Sequence, residues 1–202
     1  MLSLHNAQVR YHDKPLNVMD IELTRGEIVG LTGPSGCGKS SLAKVLAGIQ
    51  PLSAGKRCAP PRIKGEANPV QWVTQQPEFA FNPYLSLQRS LRESWQSDDF
   101  MLLLADYGIC PSWLQRKPEQ LSGGQLQRLN LVRALVPSTQ FLLCDEISAP
   151  LDLLTQKQLW QTLLNHCRTR QLGVLIISHD RALLNRLCDR QVCISSVGDN
   201  TD

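Results

Sequence analysis

No apolar run in the 202-residue chain approaches the roughly 18 residues needed to cross a bilayer, and the most apolar stretch, GVLIIS at 173 to 178, has strand length. The opening residues, MLSLHNAQVR, carry neither a basic leader nor a long apolar signal core, so the expectation is a protein that stays in the cytosol. The seven cysteines (37, 58, 110, 144, 167, 188 and 193) include no CxxC pair, which argues against a zinc site and fits free thiols or core fillers in a reducing compartment. The net charge of +3 is too small to argue for a nucleic-acid partner. Repeats and low-complexity tracts are also missing. A hydrophobic content of 42% with 19% charged residues marks a folded chain rather than a disordered one, and the length suits one compact domain with room for a subdomain.

What is present is an alternation of strand and helix signals. EIVGLT at 27 to 32 reads as a short buried strand, and SSLAKVLAG at 40 to 48 spaces Leu42, Val45 and Leu46 as a helix face that Gly48 and Pro51 bring to an end. The proline-, glycine- and lysine-rich stretch that follows, up to Asn68, reads as a surface connection. From Ser86 to about Val136 the pattern is largely helical, including FMLLLADYGI and a helix from LSGGQ toward Pro137. FLLCDE at 141 to 146 and GVLIISHD at 173 to 180 are two further buried strands ending in polar residues, with the helical pattern TQKQLWQTLLNHC between them. The expected fold class is α/β: a parallel sheet with flanking helices and a helical insertion at about 86 to 136, all within a single domain spanning 1 to 202.

Three motifs carry chemistry. GPSGCGKS at 33 to 40 fits G-x-x-x-x-G-K-S between a strand and a helix, so backbone N–H groups and the helix N-terminus can hold phosphate oxygens, Lys39 can meet the β and γ phosphates, and Ser40 can hold Mg²⁺. Asp145 and Glu146, at the end of a buried strand, reach the sheet edge where ligands bind; Asp145 can approach magnesium through water and Glu146 can polarise an attacking water. His179 follows another buried strand to the same edge and is read as a γ-phosphate contact, the alternative being a structural histidine. No N-K-x-D pattern selects guanine, and Tyr11 is either a stacking platform for adenine or an ordinary half-buried tyrosine. A second glycine loop, LSGGQ at 121 to 125, has no lysine of its own.

Together these residues resemble the nucleotide-binding subunit of an ABC transporter, in the family's order and over nearly the whole chain. The resemblance implies a P-loop NTPase fold of the ABC ATPase type, with an antiparallel strand region at its N-terminal end and ATP and Mg²⁺ as ligands. It makes Tyr11 the adenine-stacking aromatic, and Gly33, Pro34, Ser35, Gly36, Cys37, Gly38, Lys39, Ser40 and Ser41 the Walker A contacts to ATP. Gln75 becomes the Q-loop glutamine, FLLCDE becomes Walker B, Asp152 the D-loop aspartate and His179 the switch histidine. Glu146, His179 and Lys39 are then the catalytic set, and Ser40, Gln75 and Asp145 the magnesium set. In this family two ATPase subunits pair head to tail, so Leu121, Ser122, Gly123, Gly124 and Gln125 close over the partner's ATP.

A finer resemblance joins QQPEFAFNPYLSL at 75 to 87 and KPEQLSGGQLQR at 117 to 128 to the nickel, dipeptide and oligopeptide importer ATPases. It implies a second ATPase subunit (a heterodimer before a homodimer), two integral-membrane permease subunits, an indirectly engaged solute-binding protein outside the membrane, and a peripheral location on the cytoplasmic face of the inner membrane. Three departures stand out: Gln76 replaces the family's aspartate, the D-loop reads APLD at 149 to 152, and the sequence ends at Asp202, which tilts the expected cargo from peptides toward nickel or a metal chelate. The rival reading is a soluble ABC ATPase in a non-transport complex. The short stretch between Lys39 and Asp145 leaves no room for the long arms of the repair members of the superfamily.

Overall fold

The computed structural model describes residues 1–11, 14–149 and 151–194, and for residues 11 and 14–17 the backbone alone. Five parallel strands form the central sheet in the order β6 (Val70–Val73), β7 (Phe141–Asp145), β8 (Gly173–Ile177), β4 (Ile28–Thr32), β9 (Arg190–Cys193). The three middle strands are buried along their whole length because both faces are covered. Their side chains alternate between two cores. Ile28, Leu142, Cys144, Val174 and Ile176 enter one, with the helical half of the chain; Val29, Leu31, Phe141, Leu143, Leu175 and Ile177 enter the other, with α1 (Lys39–Ala47) and the N-terminal strands.

The N-terminal sheet is antiparallel: β1 (Leu2–Tyr11) pairs with β2 (Lys14–Asn17), β3 (Ile21–Leu23) and β5 (Ala54–Cys58). β5 corrects the expectation of a plain surface connection before Asn68. Its side chains are exposed or only half-buried, so no apolar alternation announced it; backbone pairing to β1 defines it instead. Arg57 on β5 donates through Nε and Nη2 to the Leu46 carbonyl at 2.9 and 2.7 Å, which binds the antiparallel sheet to the end of α1.

Between residues 86 and 136 the chain is less helical than the pattern suggests. Only α2 (Leu87–Arg92) and α3 (Gly123–Ala134) are α-helices, joined by short 3₁₀ turns at Asp98–Leu103, Pro111–Gln115 and Pro118–Gln120. FMLLLADYGI is apolar because Phe100, Leu103, Leu104, Tyr107 and Ile109 are all buried, and Gly108 turns the chain at φ +60 before a helix can extend. α4 (Leu153–Thr169) and α5 (Arg181–Leu187) complete the fold. Among the described residues no helix is long and apolar enough to cross a membrane.

Candidate active site

The parallel strands run the same way, so the loops after β4, β6, β7 and β8 meet at one edge of the sheet, where open α/β folds bind ligands. An open cleft of about 600 Å³ lies there, lined by Ser35, Gly36, Gly38, Lys39, Ser40, Ser41, Gln75, Asp145, Glu146 and His179. Four separate motifs, spread from residue 35 to residue 179, thus share one surface.

The loop after β4 is built for an anion. Gly36 and Gly38 have φ of +79 and +97, which side-chain-bearing residues adopt only with strain, and a Cβ at either would meet nothing within 4 Å. The cradle is therefore open on the side a ligand would occupy. Gly38 caps α1 without a side chain, and the amides of Lys39, Ser40 and Ser41 have no protein acceptor among the described residues. Lys39 folds back over the loop, its Nζ donating to the Gly33 and Pro34 carbonyls at 2.8 and 2.7 Å, with Cys37 Sγ 3.9 Å away.

Asp145 ends β7 and is 5% exposed. Burial pushes its carboxyl above the usual carboxylate range, as does Glu146 beside it, while the Ser40 hydroxyl, the Trp72 N–H and the Lys39 charge pull the other way. The Trp72 contact falls short of a full hydrogen bond. Trp72 escapes sequence reasoning because its closeness to Asp145 depends on the register of β6 beside β7, in which Trp72 faces Leu143. Ser40, Gln75 and Asp145 offer oxygen donors, the kind Mg²⁺ prefers, so these residues fit a nucleotide with its magnesium.

Glu146 lies just past the strand with φ +50, an uncommon conformation for a residue other than glycine, while its N–H still donates to the Ile177 carbonyl at 3.1 Å. Its carboxylate oxygen Oε1 accepts from the His179 backbone N–H at 3.0 Å and lies 3.0 Å from His179 Nδ1; Ser178 Oγ is 3.5 Å from Oε2. The His179 side chain is 80% exposed against 16% for Glu146, so the ring is open to the cleft while the carboxylate beneath it is largely covered.

Not every expected residue joins this cleft. Leu121, Ser122, Gly123, Gly124 and Gln125 are not among its lining; Leu121 ends the turn before α3, Ser122 caps the helix and the other three open it, with Ser122 Oγ accepting from the Gln125 N–H at 3.3 Å and Gln125 Oε1 accepting from the Ser122 N–H at 3.1 Å. Asp152 is likewise outside it, capping α4 by accepting from the Leu154 and Thr155 amides at 3.1 and 3.0 Å. The side chain of Tyr11, expected to stack on adenine, lies outside the described residues.

Comparison with known proteins agrees with this geometry. The family model described as ABC transporter matches residues 16–149. The nickel import system ATP-binding protein NikE of Staphylococcus aureus strain MSSA476 is 32% identical over 207 residues, covering 96% of this chain and 86% of that protein. Its counterpart in strain N315 is 32% identical over 212 residues, with the same two shares. Among solved structures, a bacterial ABC transporter cassette in dimeric form superposes with a TM-score of 0.81 at 20% identity, covering 97% of this chain and 95% of that one. A dimeric post-hydrolysis cassette bound to ADP and Pi gives 0.78 at 20% identity, covering 98% and 97%. The chain belongs to the ABC transporter family, as one of its ATPases.

Proposed function

We propose that this ATPase energises a bacterial importer of nickel or a metal chelate, with di- or oligopeptides as the other cargo class of the same group. The cargo rests on the nickel import relatives. The observation that carries the chemistry is the convergence of Lys39, Asp145, Glu146 and His179 on one open cleft. In this reading Glu146 orients the attacking water and accepts its proton, while Lys39 and His179 stabilise charge on the transferring γ-phosphoryl. Ser40, Gln75 and Asp145 would hold Mg²⁺, which neutralises charge on the phosphates when bound. Gly33 to Ser41 hold the phosphates, and Tyr11 stacks on the adenine.

The signature residues lie outside their own chain's cleft, which supports a head-to-tail pair in which Leu121 to Gln125 close over the partner's nucleotide. Asp152 would sit near that junction. A second, different ATPase subunit is the favoured partner, with two copies of this chain as the other arrangement. Two permease subunits dock beside the Q-loop and the helical subdomain at about 86 to 136, and Phe79 and Tyr84, 77% and 83% exposed close to Gln75, support that surface. The chain then sits on the cytoplasmic face of the inner membrane and meets a solute-binding protein only through the permeases; no nucleic acid is involved.

The test is affinity purification of the tagged chain from detergent-solubilised membranes of its native host. Recovery of two permease subunits with a second ATPase subunit is the expected result. A complex found only in the soluble fraction, with no integral-membrane component, would contradict the importer and favour a non-transport ABC ATPase.

A further inference from the structure

We infer that Gln127 is a positioning residue that ties the loop carrying Gln75 to the helix carrying the signature motif. Gln127 lies on α3, two residues beyond Gln125, and is fully buried at 0% exposure. Its Nε2 donates to the Thr74 carbonyl at 3.3 Å, a contact between residues 53 apart in sequence, and Thr74 directly precedes Gln75. α3 also packs on β6, which leads into the Q-loop, and on the turn Pro77–Ala80, which follows it. The hydrogen bond therefore closes a contact that brackets Gln75 on both sides.

Packing alone does not call for an amide here. Gln127 Oε1 is buried and meets no donor among the described residues, and Asn130 Nδ2, three residues along the same helix, is buried without an acceptor. Burying a half-satisfied amide costs stability that a methionine of similar length and volume would not incur. The side chain is better explained by the one bond it makes to the Q-loop. A shift of the signature end of α3 then carries the Thr74 carbonyl and Gln75 with it, and a displaced Q-loop pulls on the signature helix. This inference rests on the proposed roles of Gln75 and of residues 121 to 125.

Gln127→Met keeps length and volume while removing both polar atoms. In the full chain without nucleotide, backbone amides of residues 74 to 80 are expected to exchange with solvent about fivefold faster, with those of 141 to 146 unchanged. The thermal midpoint should stay within about 4 °C of wild type. In turnover assays kcat should fall about fivefold while KM for ATP changes by less than about twofold. Unchanged exchange at 74 to 80 overturns the tether. A midpoint lowered by about 10 °C, with faster exchange throughout, also overturns it by making Gln127 a packing residue. The exchange readout needs no nucleotide, so it separates this inference from the role assigned to Gln75: Gln75→Ala with wild-type transport and coupling would sink that role and leave the tether standing.

Discussion

Glu146 Oε1 lies 3.0 Å from two nitrogens of one residue, the backbone N and the ring Nδ1 of His179. The backbone N–H always donates. Nδ1 donates only when it holds the ring proton, which in the neutral ring leaves Nε2 as an acceptor and in the charged ring makes it a second donor toward the cleft. The contact joins the ends of β7 and β8 and fixes where the carboxylate points. His179→Ala should therefore lower kcat by about a hundredfold, with KM for ATP within about threefold of wild type. Steady-state ATP turnover checks this, and a wild-type kcat would remove His179 from the reaction.

The separation of the signature loop from its own cleft predicts an effect across subunits. In a pair with one Ser122→Arg subunit, the site built on the partner's Walker A should stop turning over, because a long cationic side chain would occupy the approach of the cap. ATP binding at the altered chain's own Lys39 should stay within about twofold. Equilibrium binding and turnover of mixed pairs measure both halves, and loss of binding at the chain's own site would contradict the arrangement in trans.

Arg170 makes the strongest stability prediction outside the cleft. Its guanidinium donates to the carbonyls of Leu135, Val136, Pro137 and Thr139 at 2.7, 2.8, 3.0 and 3.4 Å, gathering the chain between α3 and β7. Arg170→Ala should cost about 2 to 4 kcal/mol in urea unfolding, since several charge-assisted bonds are lost together. Arg170→Lys should recover only part of this, because one ammonium cannot span four carbonyls.

Acid should weaken the fold partly through Glu27. Burial pushes its carboxyl up, but the Thr24 backbone N–H, the Arg190 guanidinium and the Thr24 hydroxyl outweigh it, and the group titrates below its ordinary 4.5. The folded pKa lies below the unfolded one, so the stabilisation is complete above 4.5 and is lost as pH falls through the lower folded value. Glu27→Gln should thus lower the urea midpoint at neutral pH, with the gap to wild type closing in the acid range. An equal gap at all pH values would exclude this origin.

What the sequence made legible were features whose signal is local. The strand-loop-helix around Gly33 to Ser41 can be read because a short apolar run ends in glycines and gives way to helical spacing. β7 and β8 can be read because burial on both faces demands unbroken apolar runs. β5 could not be read, since it presents exposed side chains and exists through its pairing with β1. Residues 98 to 109 mislead for the opposite reason: Phe100, Leu103, Leu104, Tyr107 and Ile109 are apolar because they are buried, and exposed Met101 and Leu102 extend the apolar run, whatever the backbone does. Glu146 was legible as an acid at a strand end, but not its left-handed backbone or its hold on His179. Arg170 and Gln127 act on partners at least 31 residues away in sequence, and no spacing rule reaches that far.

In the proposed mechanism ATP is hydrolysed in this cleft with Glu146 as the group that activates water. The most direct measurement is ATP binding and turnover by Glu146→Gln, a change that keeps the shape of the side chain and removes its basicity. ATP should bind with near wild-type affinity while kcat falls by at least about a hundredfold. Turnover at the wild-type rate would contradict the assignment.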